Sequence, residues 1–180
     1  DHRDLHSFPT RRSSDLIYTM ATQEDYPSWG QMLKQGATTL WEDWEGKLSL
    51  AHSSYLHIGM CFNEGFAGIR PNPQGGGYQH FILRPGVLNK QGLPWAKASF
   101  ESPYGTIVSD WKVENGKLRL RAVVPPNTTA TLYLPTRNIA SIRESGQPVE
   151  RATGVKATGG AMPIRTFELQ PGKYLFETEL

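Results

Sequence analysis

One break in texture constrains this chain more than any other feature. After Arg70 come Pro71, Pro73 and Gly75-Gly76-Gly77, and nothing on one side of that run has the periodicity of the other. Proline removes a backbone donor and glycine admits any backbone angle, so regular structure must stop and restart there. A helical part over 17–70 followed by a strand-built part over 71–180 is the expected division.

Upstream of the break, Tyr26-Pro27 suits a helix start and Gly36 a helix end. Trp29 and Leu33, four apart, then share a face with Met32 beside them. A loop over 38–47 follows. A second helix is expected from Ser49, as its cap, to Ile69. Ala51, Tyr55, Ile58, Phe62, Phe66 and Ile69 recur on it at three- and four-residue steps and form a core stripe. Leu56, Met60 and Cys61 fall outside that stripe, so the helix is apolar on more than one side and needs further helices around it. That is the pattern of the last hairpin in a larger helical array.

Downstream, Leu118, Leu120, Ala122 and Val124 alternate with Lys117, Arg119 and Arg121, giving a half-buried strand. Asn115-Gly116 joins it to Thr106–Trp111 as a hairpin. Further strands are expected at Tyr78–Arg84, Ala96–Glu101, Ala130–Leu134, Ile164–Leu169 and Tyr174–Glu177. Seven short strands with tight turns point to an antiparallel β-sandwich. Pro125-Pro126-Asn127-Thr128 is expected at one of its turns, and the glycosylation-like Asn127-Thr128-Thr129 is explained by that turn chemistry.

Charge and cysteine content exclude several classes. A net charge of +2 over 180 residues gives no polyanion-binding signature, so nucleic acid is not an expected partner. No apolar run is long enough for a bilayer span. Cys61 is the only cysteine, which excludes an internal disulfide and leaves the compartment open. No spacing of metal ligands is present, and no cofactor is expected.

Residues 1–16 stand apart, with neither helical nor strand periodicity. His6-Ser7-Phe8-Pro9-Thr10-Arg11-Arg12-Ser13-Ser14-Asp15-Leu16 resembles one reading frame of a common sequencing-adapter string. On this reading the segment is a disordered artefact of assembly. It implies a truncated gene, so the rest is the C-terminal piece of a longer protein.

The candidate site lies in Gly36-Ala37-Thr38-Thr39-Leu40-Trp41-Glu42-Asp43-Trp44, where one carboxylate sits between two indoles. Apolar rings pack against the C–H faces of a pyranose and exclude water, and a carboxylate beside them serves as acid, base or nucleophile. The same residues also suit a plainer role, with Trp41 and Trp44 as core aromatics and Glu42 solvated.

This stretch, the segment from Ser49 to Ile69 with His52 near its start, and Gly77-Tyr78-Gln79-His80-Phe81-Ile82-Leu83-Arg84-Pro85 together resemble the C-terminal end of the bacterial α-L-rhamnosidases. Ala96–Ser99, Ser102–Gly105, Val108–Trp111 and Val124–Ala130 extend the resemblance to the sandwich. The family consists of glycoside hydrolases with a six-hairpin (α/α)6 barrel followed by a β-sandwich. The fold implied is therefore a multidomain fragment, the last helices of that barrel and then an antiparallel sandwich.

The function implied is release of terminal α-L-rhamnose from a rhamnoside or polysaccharide with inversion. Glu42 matches the general base, His52 a sugar-binding histidine, and Trp41 and Trp44 the pocket wall. The general acid lies outside this chain, so the chain by itself is expected to be inactive. Two alternatives stay open: a sugar-binding or bracing sandwich module, and a six-hairpin glycosidase for another sugar. Asp43 is expected to be solvated, Cys61 a small core residue, and His80 a packing or solvent-facing residue.

Overall fold

The computed structural model describes residues 11–53, 57–87 and 93–180. A short helical part precedes a β-sandwich. Helix α1 spans Arg11–Thr22 and α2 spans Trp29–Lys34. Helix α3, His57–Met60, continues as a π-helix over Cys61–Ala67.

The sandwich strands are β1 Ile69–Pro71, β2 His80–Leu83, β3 Trp95–Ser102, β4 Gly105–Glu114, β5 Lys117–Val124 and β6 Thr129–Pro135. They continue with β7 Arg143–Glu144, β8 Gln147–Pro148, β9 Val155–Gly159, β10 Ile164–Leu169 and β11 Gly172–Glu179. One sheet has the order β1-β2-β6-β10-β9 and the other β3-β4-β5-β11-β7-β8.

Alternation builds the space between the sheets. Leu118, Leu120 and Ala122 of β5 are fully buried beside Ile107 and Trp111 of β4 and Phe176 of β11. Phe81, Leu83, Leu132, Leu134, Phe167 and Leu169 of the other sheet complete the core. Such residues point one way because strand side chains alternate with period two. Asn115 and Gly116 both have positive φ, 50° and 73°, as a tight hairpin turn between β4 and β5 requires. Asn127, φ 61°, turns the chain between β5 and β6, and Thr128 Oγ1 donates to Pro125 O at 2.7 Å.

All seven expected strands form. The sandwich is antiparallel apart from β2 and β6, which pair in parallel with Phe81 opposite Ala130. His80 is neither simply packed nor simply solvated. Its ring nitrogens bond Thr129 Oγ1 at 2.6 Å and Thr131 Oγ1 at 2.9 Å on the neighbouring strand.

The helical part departs further from the sequence reading. Residues 11–16, expected to be disordered, form the first half of α1. No glycine or proline interrupts Arg11–Thr22, and Tyr18 anchors the helix edge-on against Phe66, with ring centres 6.3 Å apart. Residues 1–10 lie outside the described residues.

Helix α2 starts at Trp29 rather than at Pro27, because Ser28 caps it by accepting from Gln31 N at 3.0 Å. Met32 is its buried residue, and Leu33 is 69% exposed. The expected helix from Ser49 does not form there. Ser49 and His52 spend their backbone groups on a hairpin-like loop, and the next α-helix among the described residues is His57–Met60.

The π-helical winding changes which residues align, so Phe66 is buried while Phe62 is 48% exposed. Tyr55 of the expected stripe, and Leu56 beside it, lie outside the described residues. Ile69 belongs to a strand, pairing with Leu83. The junction accordingly falls a few residues before Arg70, and Pro71 closes an edge strand, a place where its missing donor is tolerated.

Side chains of β4 lock the two parts together. Trp111 Nε1 donates to Phe66 O at 2.8 Å, and Ser109 Oγ donates to Ala67 O at 2.6 Å. Gly68 ends the π-helix at φ 85°, and a Cβ there would meet Arg84 O at 2.1 Å.

Candidate active site

The loop between α2 and α3 carries all four candidate residues, and its backbone bonds order them. Glu42 N donates to Ser49 O at 2.8 Å, and His52 N donates to Leu40 O at 2.9 Å. The Thr39 hydroxyl donates to Leu50 O, adding a third tie across the same loop. The two limbs at 39–42 and 49–52 therefore run side by side, which brings His52, ten residues on in sequence, back beside the segment carrying Glu42.

Glu42 is half-buried. Its Oε2 accepts from Ser49 N at 3.3 Å, and its Oε1 has no hydrogen bond among the described residues. A carboxylate held through one oxygen keeps its direction and leaves the other lone pairs for a reacting partner.

The indoles are placed by different contacts. Trp41 lies against Gly46 so closely that a Cβ there would come within 2.8 Å of its Cζ3. Glycine, at φ 68°, is what lets the turn approach the ring. Trp44 meets Trp29 of α2 edge to face, with ring centres 5.9 Å apart and planes at 71°. Both tryptophans, like His52, are half-buried.

Asp43 does not have the solvated role that the sequence reading gave it. Its Oδ1 accepts from Lys47 N at 3.0 Å and from Leu48 N at 3.3 Å, and Oδ2 accepts from Lys47 N at 3.3 Å. The sequence carried a signal for this, since Asp43-Trp44-Glu45-Gly46 has aspartate first and glycine fourth, a common β-turn pattern. Next in the loop, Glu45 Oε1 accepts from Tyr26 Oη at 2.5 Å. That bond, which needs the phenol to keep its proton, holds the Tyr26 phenol above its ordinary pKa.

Sequence reasoning also missed the polar groups at the end of the π-helix and the start of β1. Arg70 is 6% exposed and donates from Nε to Glu64 O at 2.7 Å. Burial and, next, the Arg84 charge lower its pKa to about 10, so it remains a cation at neutral pH. Burial raises Glu64, against the pull of Arg70. Burial likewise pushes the Cys61 thiol up, away from the thiolate a nucleophile needs. Among the described residues no three His, Cys, Asp or Glu side chains gather as a metal site would require.

Comparison with known proteins identifies both parts. Residues 5–64 match the bacterial alpha-L-rhamnosidase 6 hairpin glycosidase domain, and residues 68–148 match the bacterial alpha-L-rhamnosidase C-terminal domain. The first match begins at residue 5 and so covers the whole stretch that resembles adapter sequence. The chain is 35% identical over 176 residues to an alpha-L-rhamnosidase of Formosa agariphila, covering 92% of this chain and 19% of that one. It is 31% identical over 157 residues to one from Alteromonas sp. (strain LOR), covering 80% and 17%. The fold is similar to the crystal structure of Streptomyces avermitilis alpha-L-rhamnosidase complexed with L-rhamnose, with a TM-score of 0.75 and 26% identity over 90% of this chain and 16% of that one. The chain thus spans about a fifth of the length of the curated relatives it matches.

Proposed function

The chain belongs to the bacterial alpha-L-rhamnosidase family, and from that premise we propose that it supplies the general base and part of the sugar pocket of an inverting glycosidase acting on terminal α-L-rhamnose. The observation carrying this reading is the Glu42 carboxylate, fixed through Oε2 by Ser49 N in a loop that also holds Trp41, Trp44 and His52. An inverting reaction places a water between base and anomeric carbon, with the two catalytic carboxyl groups about 6.5–9.5 Å apart. Glu42 takes the proton from that water as its oxygen attacks the face opposite the leaving group. The general acid is supplied from outside this chain, so the 180 residues alone turn nothing over. Trp41 and Trp44 wall the ring, and His52 bonds a rhamnose hydroxyl.

The test is Glu42→Gln in the full-length enzyme with an aryl rhamnoside. Loss of a general base lowers kcat by roughly 10²–10⁴-fold. A variant that keeps near-normal kcat removes the assignment. The anomer first released, followed by NMR, tests inversion separately.

The role of the sandwich is bracing rather than glycan capture. Its support is the pair of bonds from Trp111 and Ser109 to the carbonyls of Phe66 and Ala67, which fasten the end of the helical part to the sheet.

A further inference from the structure

On the reading of Glu42 given above, we infer that Asp43 is a positioning residue: its carboxylate closes the turn that holds the Ser49 amide against the Glu42 carboxylate. The turn is not closed by backbone alone. Gly46 N reaches Asp43 O only at 3.5 Å, the outer limit of a hydrogen bond. The Asp43 side chain bonds the next two amides, Lys47 and Leu48, at 3.0 and 3.3 Å through Oδ1. A charged acceptor for backbone N–H groups is stronger than a neutral one, so this side chain is the principal tie across the turn.

Ser49 follows directly. It exchanges two bonds with Glu42, accepting from Glu42 N at 2.8 Å and donating to Oε2 at 3.3 Å. Release of Lys47 and Leu48 loosens the segment leading into Ser49, whose carbonyl stays tied to Glu42 N, and with it the 3.3 Å amide bond that alone directs the Glu42 carboxylate among the described residues. Trp41 and Trp44 are held by other contacts, to Gly46 and Trp29, so sugar stacking survives a turn loosened at 47–49. Asp43 touches no reacting atom in this arrangement. Its effect is on the direction of its neighbour, and a misplacement of about 1 Å at a reacting group costs on the order of 10²-fold.

The experiment compares Asp43→Ala with Asp43→Asn. Asparagine keeps an Oδ1 that can accept from both amides, and alanine keeps nothing. In the full-length enzyme, Asp43→Ala is expected to lower kcat by roughly 10- to 100-fold with KM within about threefold, and Asp43→Asn to restore most of the loss. In the 180-residue chain, hydrogen exchange is expected to speed at the Lys47, Leu48 and Ser49 amides in the alanine variant alone, with the β5 and β11 amides unchanged. Unchanged kcat in Asp43→Ala, equal losses in both variants, or a rise in KM at constant kcat overturns the inference. So does unchanged exchange at 47–49, or exchange that speeds throughout the sandwich. If Glu42→Gln keeps its activity, the base assignment fails instead, and the exchange comparison still decides whether Asp43 holds the turn.

Discussion

Replacing Trp111 with phenylalanine tests whether the sandwich braces the helical part. The indole is fully buried, and its Nε1 donates to Phe66 O at 2.8 Å. Phenylalanine keeps a ring in the core and removes the donor. Phe66 O still accepts from Gly86 N at 2.9 Å, so the carbonyl is not left bare and the loss is that of one hydrogen bond, about 0.5–1.5 kcal/mol. The smaller ring leaves a void of about 40 Å³, which at about 24 cal/mol per Å³ adds about 1 kcal/mol. The sum, about 2 kcal/mol, is a large share of the 5–15 kcal/mol typical of a folded domain. Urea unfolding of the 180-residue chain, followed by far-UV circular dichroism because the substitution alters fluorescence, reads this directly. Hydrogen exchange at Gly86, whose amide shares the same carbonyl, should speed as well. A loss below about 0.5 kcal/mol with Gly86 protection intact would falsify the clamp.

Two further substitutions probe the junction. Gly68→Ala places a Cβ at 2.1 Å from Arg84 O in a residue at φ 85°, and should cost more than about 3 kcal/mol in the same urea titration; a cost under about 1 kcal/mol contradicts the close approach of β1 and the 84–86 segment. Glu64→Gln should stabilise the chain at pH 7 relative to pH 4. Burial raises the folded carboxyl above its unfolded value, so its contribution is fully present below the unfolded pKa and is lost as pH rises through the folded one. Glutamine does not titrate and escapes that loss. An advantage of the variant that is the same at both pH values rules this out.

The sandwich was readable because its signals are local. Lys117–Val124 announces its buried face by strict alternation, and Asn115-Gly116 supplies the positive φ that its hairpin requires. The strands that escaped notice, β1, β7, β8 and β9, are short edge or near-edge pieces, too brief to display a period. Ile69–Pro71 was also masked by its own proline, which reads as a linker until β2 is seen pairing with it.

The helical part was less readable for a different reason. The stripe from Ala51 to Ile69 has helical spacing, yet spacing says nothing about where backbone donors are spent. Ser49 spends its carbonyl on Glu42 N and its amide on the Glu42 carboxylate, and that carbonyl is the acceptor a helix opening at Ser49 needs for its first bond. The same competition explains the site. Glu42, Trp41, Trp44 and His52 stand out in the sequence as candidates because their side chains carry chemistry. Asp43 is less visible there because its carboxylate is spent on the backbone amides of Lys47 and Leu48. On the proposed reading the two adjacent acidic residues of this loop divide the work, Glu42 taking the proton and Asp43 holding the turn through the Lys47 and Leu48 amides.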